Sequence, residues 1–458
     1  MPDVIVVGGG LAGSEAAWQA ASRGLWVELY EMRPAVPTGA HTGADLAELV
    51  CSNSLGSTKT DSASGLLKEE IRQFGSLLLD CALSSSLPAG GALAVDRGGF
   101  ARLVTERITS HPNIRVIRSE IKEVPATPTI VASGPLTSPA LVGSIRSMTS
   151  QDSLFFYDAI APIVLAESLN MQVAYRASRF GNGTQAEGDY INCPLNREEY
   201  ESFVDNVLHA ERISLRDFER EIELGVTAGS PEFFEGCLPI EIIAARGKDS
   251  LAFGPMRPVG LRDPRTGRWP HAVVQLRQDD LSGSLYNLVG FQTNLTYSEQ
   301  KRVLRLIPGL ENAEFVRYGQ MHRNTFLASP LLLEPTLQLK SRPDLFFAGQ
   351  ITGVEGYMGN IATGLLAGIN MARVLTGQTP LMLPVDTMLG ALCYYITHAS
   401  LQSFQPMKAN FGILPPLEGP YVSKRERSSL YSQRGLRSLQ AWADNNQLNL
   451  VGIEENEK

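Results

Sequence analysis

An α/β fold is predicted, a Rossmann-like dinucleotide-binding domain interrupted by an inserted α+β domain. Three observations carry it. The chain opens DVIVVGGGLAGSEAAW over Asp3 to Trp18, a strand, a glycine turn and a helix in immediate succession. A second apolar run, Trp26 to Tyr30, ends at an acid, Glu31. From about residue 150 the composition shifts to aromatic clusters with no second glycine fingerprint, and a buried strand with a small-residue helix returns only after residue 340.

The first element, Val4 to Val7, is a continuous apolar run of the kind a buried parallel strand requires. Gly8, Gly10 and Gly13 then form G-x-G-x-x-G: the first permits a tight turn, the second lets backbone approach a pyrophosphate, and the third lets the helix from Ser14 to Ala21 pack on the strand. With Gly9, Leu11 and Ala12 they make the candidate cofactor cradle, at a helix N-terminus whose free N–H groups and dipole favour an anion. Glu31 lies eighteen residues past Gly13, near the spacing at which a carboxylate at the tip of the second strand accepts from an adenosine ribose. It would repel a 2′-phosphate, so the tightly held nucleotide is FAD or NAD.

The chain's 458 residues at 43% hydrophobic content can bury one large or two moderate cores. The glycine motif begins at residue 8, which leaves no room for a signal peptide, and no apolar run approaches membrane-spanning length, so a cytoplasmic protein is expected. Cys51, Cys81, Cys193, Cys237 and Cys393 are scattered, without a C-x-x-C pair or zinc-like spacing; reduced thiols and no metal are expected. The net charge of −8 argues against indiscriminate nucleic-acid binding but is compatible with a locally basic face, so it leaves RNA open.

Further along, Glu48 to Leu55 places small polar residues and Cys51 after an apolar pair, a segment suited to pass close to a ligand; the thiol is either chemical or a space-filler. Ser64 to Leu79 has helical spacing with Lys68, Glu69 and Glu70 outward, and short strands are expected at Ala92 to Arg97, Asn113 to Arg118 and Thr129 to Ala132. Residues 1–150 are read as the first part of the dinucleotide domain. Residues 151–316 form the inserted domain, with helices at Glu198 to His209 and Ser214 to Leu224 and strands at Ala272 to Arg277 and Leu285 to Phe291. Residues 317–458 return to the first domain and add a C-terminal tail. There a strand ending at Ala348-Gly349-Gln350, a loop through Gly356 and the helix Ile361 to Leu375 make a second cofactor-side unit, which favours FAD over NAD as the resident group.

Taken in order, GGGLAGSEAAW, ELVCSNSL, LPAGGALAVDR, FFEGCLPIE, FGPMRPVGL, VVQLRQDD, LVGFQTNL, LIPGLENAEFVRYGQMHRNTF and LFFAGQITGVEGY resemble the folate- and FAD-dependent tRNA uracil-5 methyltransferase family over nearly the whole chain. The resemblance implies an FAD-binding domain of the glutathione-reductase type. It also implies conversion of uridine-54 in the tRNA T-loop to 5-methyluridine, with 5,10-methylenetetrahydrofolate giving the carbon and flavin with NADH or NADPH the reducing equivalents. Uracil C5 is a poor nucleophile, so this chemistry needs a thiolate that adds to C6 and a second acid/base group. By resemblance Cys237 in FFEGCLPIE is the better candidate nucleophile and Cys51 a second reactive thiol or base near the flavin, although the sequence does not settle which does which. Cys81, Cys193 and Cys393 match no role.

The resemblance further puts His322, Arg323 and Asn324 over the flavin, where an imidazole can stack on folate. It leaves Arg257 and Arg277, with Arg246 and Lys248, as groups for folate glutamate or tRNA phosphate. The chain departs from the family pattern at Gly56, at Gly359 and in an added loop at 225–232. Two other readings share parts of the pattern: the sister flavoprotein that installs carboxymethylaminomethyl groups on wobble uridines, which is longer at its C-terminus, and a plain NAD(P)H-flavin oxidoreductase.

Overall fold

The computed structural model describes residues 1–38, 40–151, 154–181, 183, 187–213, 238–419, 423–448 and 450, without the side chains of 155–159, 321–323, 403 and 424. The expected helix Ser214 to Leu224, the loop 225–232 and Cys237 lie outside these residues.

Val4–Val7 is the centre of a six-stranded sheet in the order Gln338–Leu339, Arg342–Phe347, Thr129–Val131, Val4–Val7, Val27–Tyr30, Ile114–Ile117. All but the first pair are parallel, with Val4 opposite Val27 on one side and Ile5 opposite Thr129 on the other. Val4, Val6, Val27, Leu29 and Ile130 are fully buried, because helices cover the faces of such a sheet. The chain leaves Val4–Val7 toward one neighbour and returns on its other side, so a crevice opens at the carboxyl ends of these strands.

Two helices meet over that crevice, Leu11–Ala21 and Tyr357–Leu375. They approach closely because their contact is made of small residues: a Cβ on Gly364 would sit 2.2 Å from the Ala12 carbonyl oxygen, and one on Gly368 2.4 Å from that of Ala16.

A second six-stranded sheet is antiparallel throughout, in the order Tyr175–Ala177, Tyr190–Leu195, Ala272–Gln278, Leu285–Leu288, Ile163–Leu165, Phe315–Arg317. It has its own core with the helices Arg197–His209, Ile240–Ala245 and Tyr297–Leu304. Phe315–Arg317 belongs to this sheet, and the next strand of the first sheet begins at Gln338. The antiparallel ribbon of Leu154–Ala159 with Met321–Phe326 joins the two regions.

The expected helix Ser64 to Leu79 is two helices, Ala63–Gln73 and Leu77–Ser84, broken at Gly75 with φ +71°. Lys68 and Glu70 do not point outward. Lys68 Nζ donates to the carbonyls of Leu55 and Ser57 at 2.7 and 2.9 Å, and the buried Glu70 carboxylate accepts from the N–H groups of Met388 and Leu389 at 2.6 and 2.9 Å. The helix is covered on one side by the segment after Cys51 and on the other by Met388–His398, so it has no free polar face there.

Candidate functional site

The crevice is a cleft lined by Gly8, Gly10, Leu11, Ala12, Glu31, Gly349 and Gln350 among others. Its glycines do different things. Gly8, at φ +104°, would drive a Cβ to 2.5 Å from the Ala132 carbonyl oxygen, and Gly13 would drive one to 1.8 Å from that of Gly8, so both are required for packing. A Cβ on Gly10 would meet nothing within 4 Å; it would project into the open cleft. Gly9 and Gly13 form no wall of the cleft, and the Gly9 N–H is instead given to Glu31 Oε2 at 2.9 Å.

The cleft suits a pyrophosphate. Most of the long helices here are capped by a side chain, such as Ser62, Ser76, Asp96, Ser138, Asn196 or Thr387. The two that open on the cleft begin after Gly10 and Gly356, which have no capping side chain, so their first N–H groups are left for a ligand. Asn360, on the wall in the second of these helices, has its buried Oδ1 without a hydrogen-bond partner. Glu31 is held in place by Arg33, whose Nε lies 3.0 Å from Oε1 and which is itself tied to Glu48 at 2.9 Å. Burial works against the Glu31 charge, but the hydrogen bonds and charge of Arg33 and the Gly9 N–H outweigh it and hold the carboxyl below its ordinary range. An ionised acceptor therefore stands where an adenosine ribose would lie, and these residues fit FAD. His41, on the same wall, is pushed down to about 4 by burial and by the neighbouring Arg33, so it is neutral.

The cleft meets a second cavity lined by Cys51, Ser52, Asn324, Gly356, Tyr357 and Asn360; Val50, Pro135, Leu136, Gln350, Tyr357 and Asn360 belong to both. Cys51 is partly exposed in this cavity. Its N–H donates to Tyr357 Oη at 2.8 Å, and its carbonyl oxygen accepts from Arg97 Nη1 and Nη2 at 3.4 and 3.3 Å. Arg97 also pairs with Asp279 of the second sheet at 2.9 Å. Burial disfavours the Arg97 charge, but Asp279 more than compensates and holds the guanidinium firmly protonated.

Arg277 and Arg317 complete the surroundings. Arg277 is buried, with Nε donating to Asn53 Oδ1 at 2.8 Å, and Arg317 Nη2 donates to the Ala40 carbonyl at 3.0 Å. Burial lowers both from the ordinary guanidinium value, and the negative charge of a Cys51 thiolate acts to raise them, as it does for Arg97. Cys81, Cys193 and Cys393 are buried, and burial pushes their thiols up, Cys81 to about 11 and Cys393 to about 12.

Of the other sequence candidates, Asn324 lines the Cys51 cavity, while His322 and Arg323 lie on the ribbon strand opposite Asp158 and Tyr157 with side chains outside the described residues. Arg257 is exposed on a loop of the second sheet's region and lines neither cavity. Arg97, Asp279, Tyr357, Asn360 and Arg317 were not singled out from sequence. Arg97, Asp279, Arg317 and Tyr357 each sit inside a quoted motif, LPAGGALAVDR, VVQLRQDD, LIPGLENAEFVRYGQMHRNTF and LFFAGQITGVEGY, which was the available signal.

No helix among the described residues is long and apolar enough to cross a membrane, and no group of three or more His, Cys, Asp or Glu among them is arranged to hold a metal ion.

Comparison with known proteins agrees with this geometry. The family described as Glucose inhibited division protein A matches residues 3–379. A methylenetetrahydrofolate--tRNA-(uracil-5-)-methyltransferase TrmFO of Pelotomaculum thermopropionicum is 55% identical over 437 residues, 95% of this chain and 97% of its own. That of Bacillus cytotoxicus is 53% identical over 95% of this chain and 98% of its own. The solved structure of Aquifex aeolicus GidA in its form II crystal aligns with a TM-score of 0.66 at 16% identity, covering 99% of this chain and 74% of that one, which establishes a shared fold. With a family match over most of its length and relatives identical at more than half of the aligned positions, the chain belongs to the Glucose inhibited division protein A family and, within it, to the methylenetetrahydrofolate--tRNA-(uracil-5-)-methyltransferases.

Proposed function

We propose that this protein methylates C5 of uridine-54 in the T-loop of tRNA, taking the carbon from 5,10-methylenetetrahydrofolate, and that it does so in the cytoplasm. The observation that carries the reading is the position of Cys51, at the junction of the dinucleotide cleft and a second cavity, with the Arg97 guanidinium on its carbonyl oxygen. Neither a wobble-uridine enzyme nor a plain oxidoreductase is favoured, since the relatives that match this chain end to end are uracil-5 methyltransferases.

FAD would be held by Gly8, Gly10, Leu11, Ala12, Glu31, Gly349, Gln350 and Gly356, and when bound and reduced by NADH or NADPH it would supply the two electrons needed to bring a methylene on uracil C5 to a methyl. The chain's own residues prepare the base. We assign the addition to C6 to the Cys51 thiolate, because Cys51 is partly exposed in the cavity that adjoins the dinucleotide cleft; the electron pair moves toward the uracil O4, and C5 becomes nucleophilic enough to attack the folate methylene. A base must then remove the C5 proton, so that the bond between the methylene and the folate nitrogen breaks and tetrahydrofolate leaves with the electron pair; Cys237 is assigned the proton removal, and the thiolate leaves C6 when the exocyclic methylene is reduced. This exchanges the roles that the motifs alone suggested for the two thiols. Arg97 fixes the loop carrying Cys51 through the Leu49 and Cys51 carbonyls, and Asp279 keeps Arg97 in place. His322, Arg323 and Asn324 are assigned to the folate side, and Arg277, with Arg257 further out, to anionic groups of folate or tRNA.

The test is product analysis. Protein incubated with unmodified tRNA, NADH and methylenetetrahydrofolate labelled in its methylene should yield labelled 5-methyluridine at position 54 by mass spectrometry of nucleosides. Label that enters only from S-adenosylmethionine, or a modification at a wobble uridine, overturns the reading.

A further inference from the structure

Residues 253–269 contain four arginines and one aspartate, in a chain whose total charge is −8. The aspartate, Asp263, is buried and occupied by Arg265, with Nη2 to Oδ2 at 2.8 Å. Glu199 also acts on Arg265. The other three, Arg257, Arg262 and Arg268, are exposed, and among the described residues no acidic side chain forms an ion pair with them.

Large rings are exposed beside these charges: Trp269 at 53%, Phe253 at 82% and Phe180 at 68%. Arg262 Cζ lies 5.6 Å from the centroid of the Trp269 ring, and Phe180 packs its ring edge over Gly260. The loop is preformed. Leu261 and Asp263 are buried, the Asp263 N–H donates to the Arg268 carbonyl at 3.0 Å, and the Gly267 N–H donates to the Asp263 carbonyl at 2.8 Å. Its side chains are therefore presented at little further entropic cost.

Arg179 and the strand Ala272–Gln278 stand between this surface and the segment that carries Cys51. Arg179 donates from Nη1 to the Val259 carbonyl at 2.6 Å and from Nε to Gln275 Oε1 at 2.8 Å. Gln275 and Arg277 are alternate residues of Ala272–Gln278 and so face the same side of the sheet. Arg277 reaches Asn53, two residues from Cys51.

We propose that this loop, with Arg262, Arg268 and Trp269 at its centre, is a docking surface for RNA, its guanidinium groups on backbone phosphates and its exposed ring against an unstacked base. A protein partner of ordinary composition would not need three exposed guanidinium groups without an ion pair among the described residues, and a lipid surface would not need a preformed loop. Guanidinium groups interleaved with exposed rings are what non-helical RNA requires. The inference rests on the tRNA reading above and adds the part of the surface that grips the substrate away from the reacting base.

The test uses the flavin-loaded full chain and a fluorescently labelled, unmodified tRNA transcript, with binding followed by anisotropy from low to high salt. Arg262→Gln with Arg268→Gln should weaken binding roughly tenfold or more near 0.1 M salt and make the plot of log affinity against log salt shallower by about 1.5 to 2, since each lost phosphate contact removes roughly 0.7 to 0.9. Trp269→Ala should weaken binding several-fold with the slope unchanged. Circular dichroism and flavin content matching the unaltered protein would show that the variants are folded. Affinity and slope equal to the unaltered protein in both variants overturn the proposal. So does a double variant that keeps tRNA binding but loses adhesion to anionic phosphatidylserine vesicles. An unaltered protein that does not bind tRNA at all refutes the functional reading itself, a result separable from the others.

Discussion

The backbone N–H of Cys51 donates to the hydroxyl of Tyr357, 306 residues away, at 2.8 Å. Tyr357 is the first residue of the helix whose uncapped end faces the dinucleotide cleft, so this bond sets the position of the thiol relative to that end. Tyr357→Phe removes it at a cost of about 1 kcal/mol. FAD content should be preserved and methylation slowed about five- to tenfold, measured as kcat for 5-methyluridine formation. An unchanged kcat would mean that Arg97 alone positions the loop.

The two cradle glycines should fail in different ways. Gly10→Val places its side chain in open space, so the protein should fold with an unaltered circular dichroism spectrum but purify colourless. Gly13→Val must displace the Gly8 carbonyl, 1.8 Å from the new Cβ, and should lower the melting temperature as well as the flavin content. A yellow Gly10→Val protein would remove the cofactor assignment.

The division of labour between the thiols is tested with T-arm RNA carrying 5-fluorouridine, which cannot lose a proton from C5 and so retains the thioether. Cys51→Ala should form no denaturation-resistant RNA adduct. Cys237→Ala should still form one, and with ordinary RNA should make no 5-methyluridine. The opposite pattern assigns the addition to Cys237.

Glu70 makes stability depend on pH. It is fully buried, burial raises its carboxyl from 4.5 to about 7, and the N–H groups of Met388 and Leu389 only partly offset this. The folded state therefore holds a proton that the unfolded state has released. The stabilisation is complete below about pH 4.5 and is lost as pH rises toward 7, by roughly 1.4 kcal/mol per unit at most. In urea titrations, Glu70→Gln should flatten this decline between pH 5 and 7. A decline of the same size in the variant would locate it elsewhere.

The sequence by itself determined the strand, glycine turn, second strand and acid at the N-terminus. Each of those constraints acts within about thirty residues: apolar continuity, a turn that admits only glycine, and the distance to Glu31. It also revealed the family, through long strings that keep their order whatever their place in space. Tertiary structure alone decided the rest. Lys68 and Glu70 read as outward because the helical period shows one apolar face, and only the packing of Met388–His398 and of the segment after Cys51 reveals that the polar face is covered too. The surroundings of Cys51 come from Arg97, Arg277, Arg317 and Tyr357, which lie 46 to 306 positions away in the chain; periodicity carries no information about such meetings, because they follow from how two separately formed sheets dock.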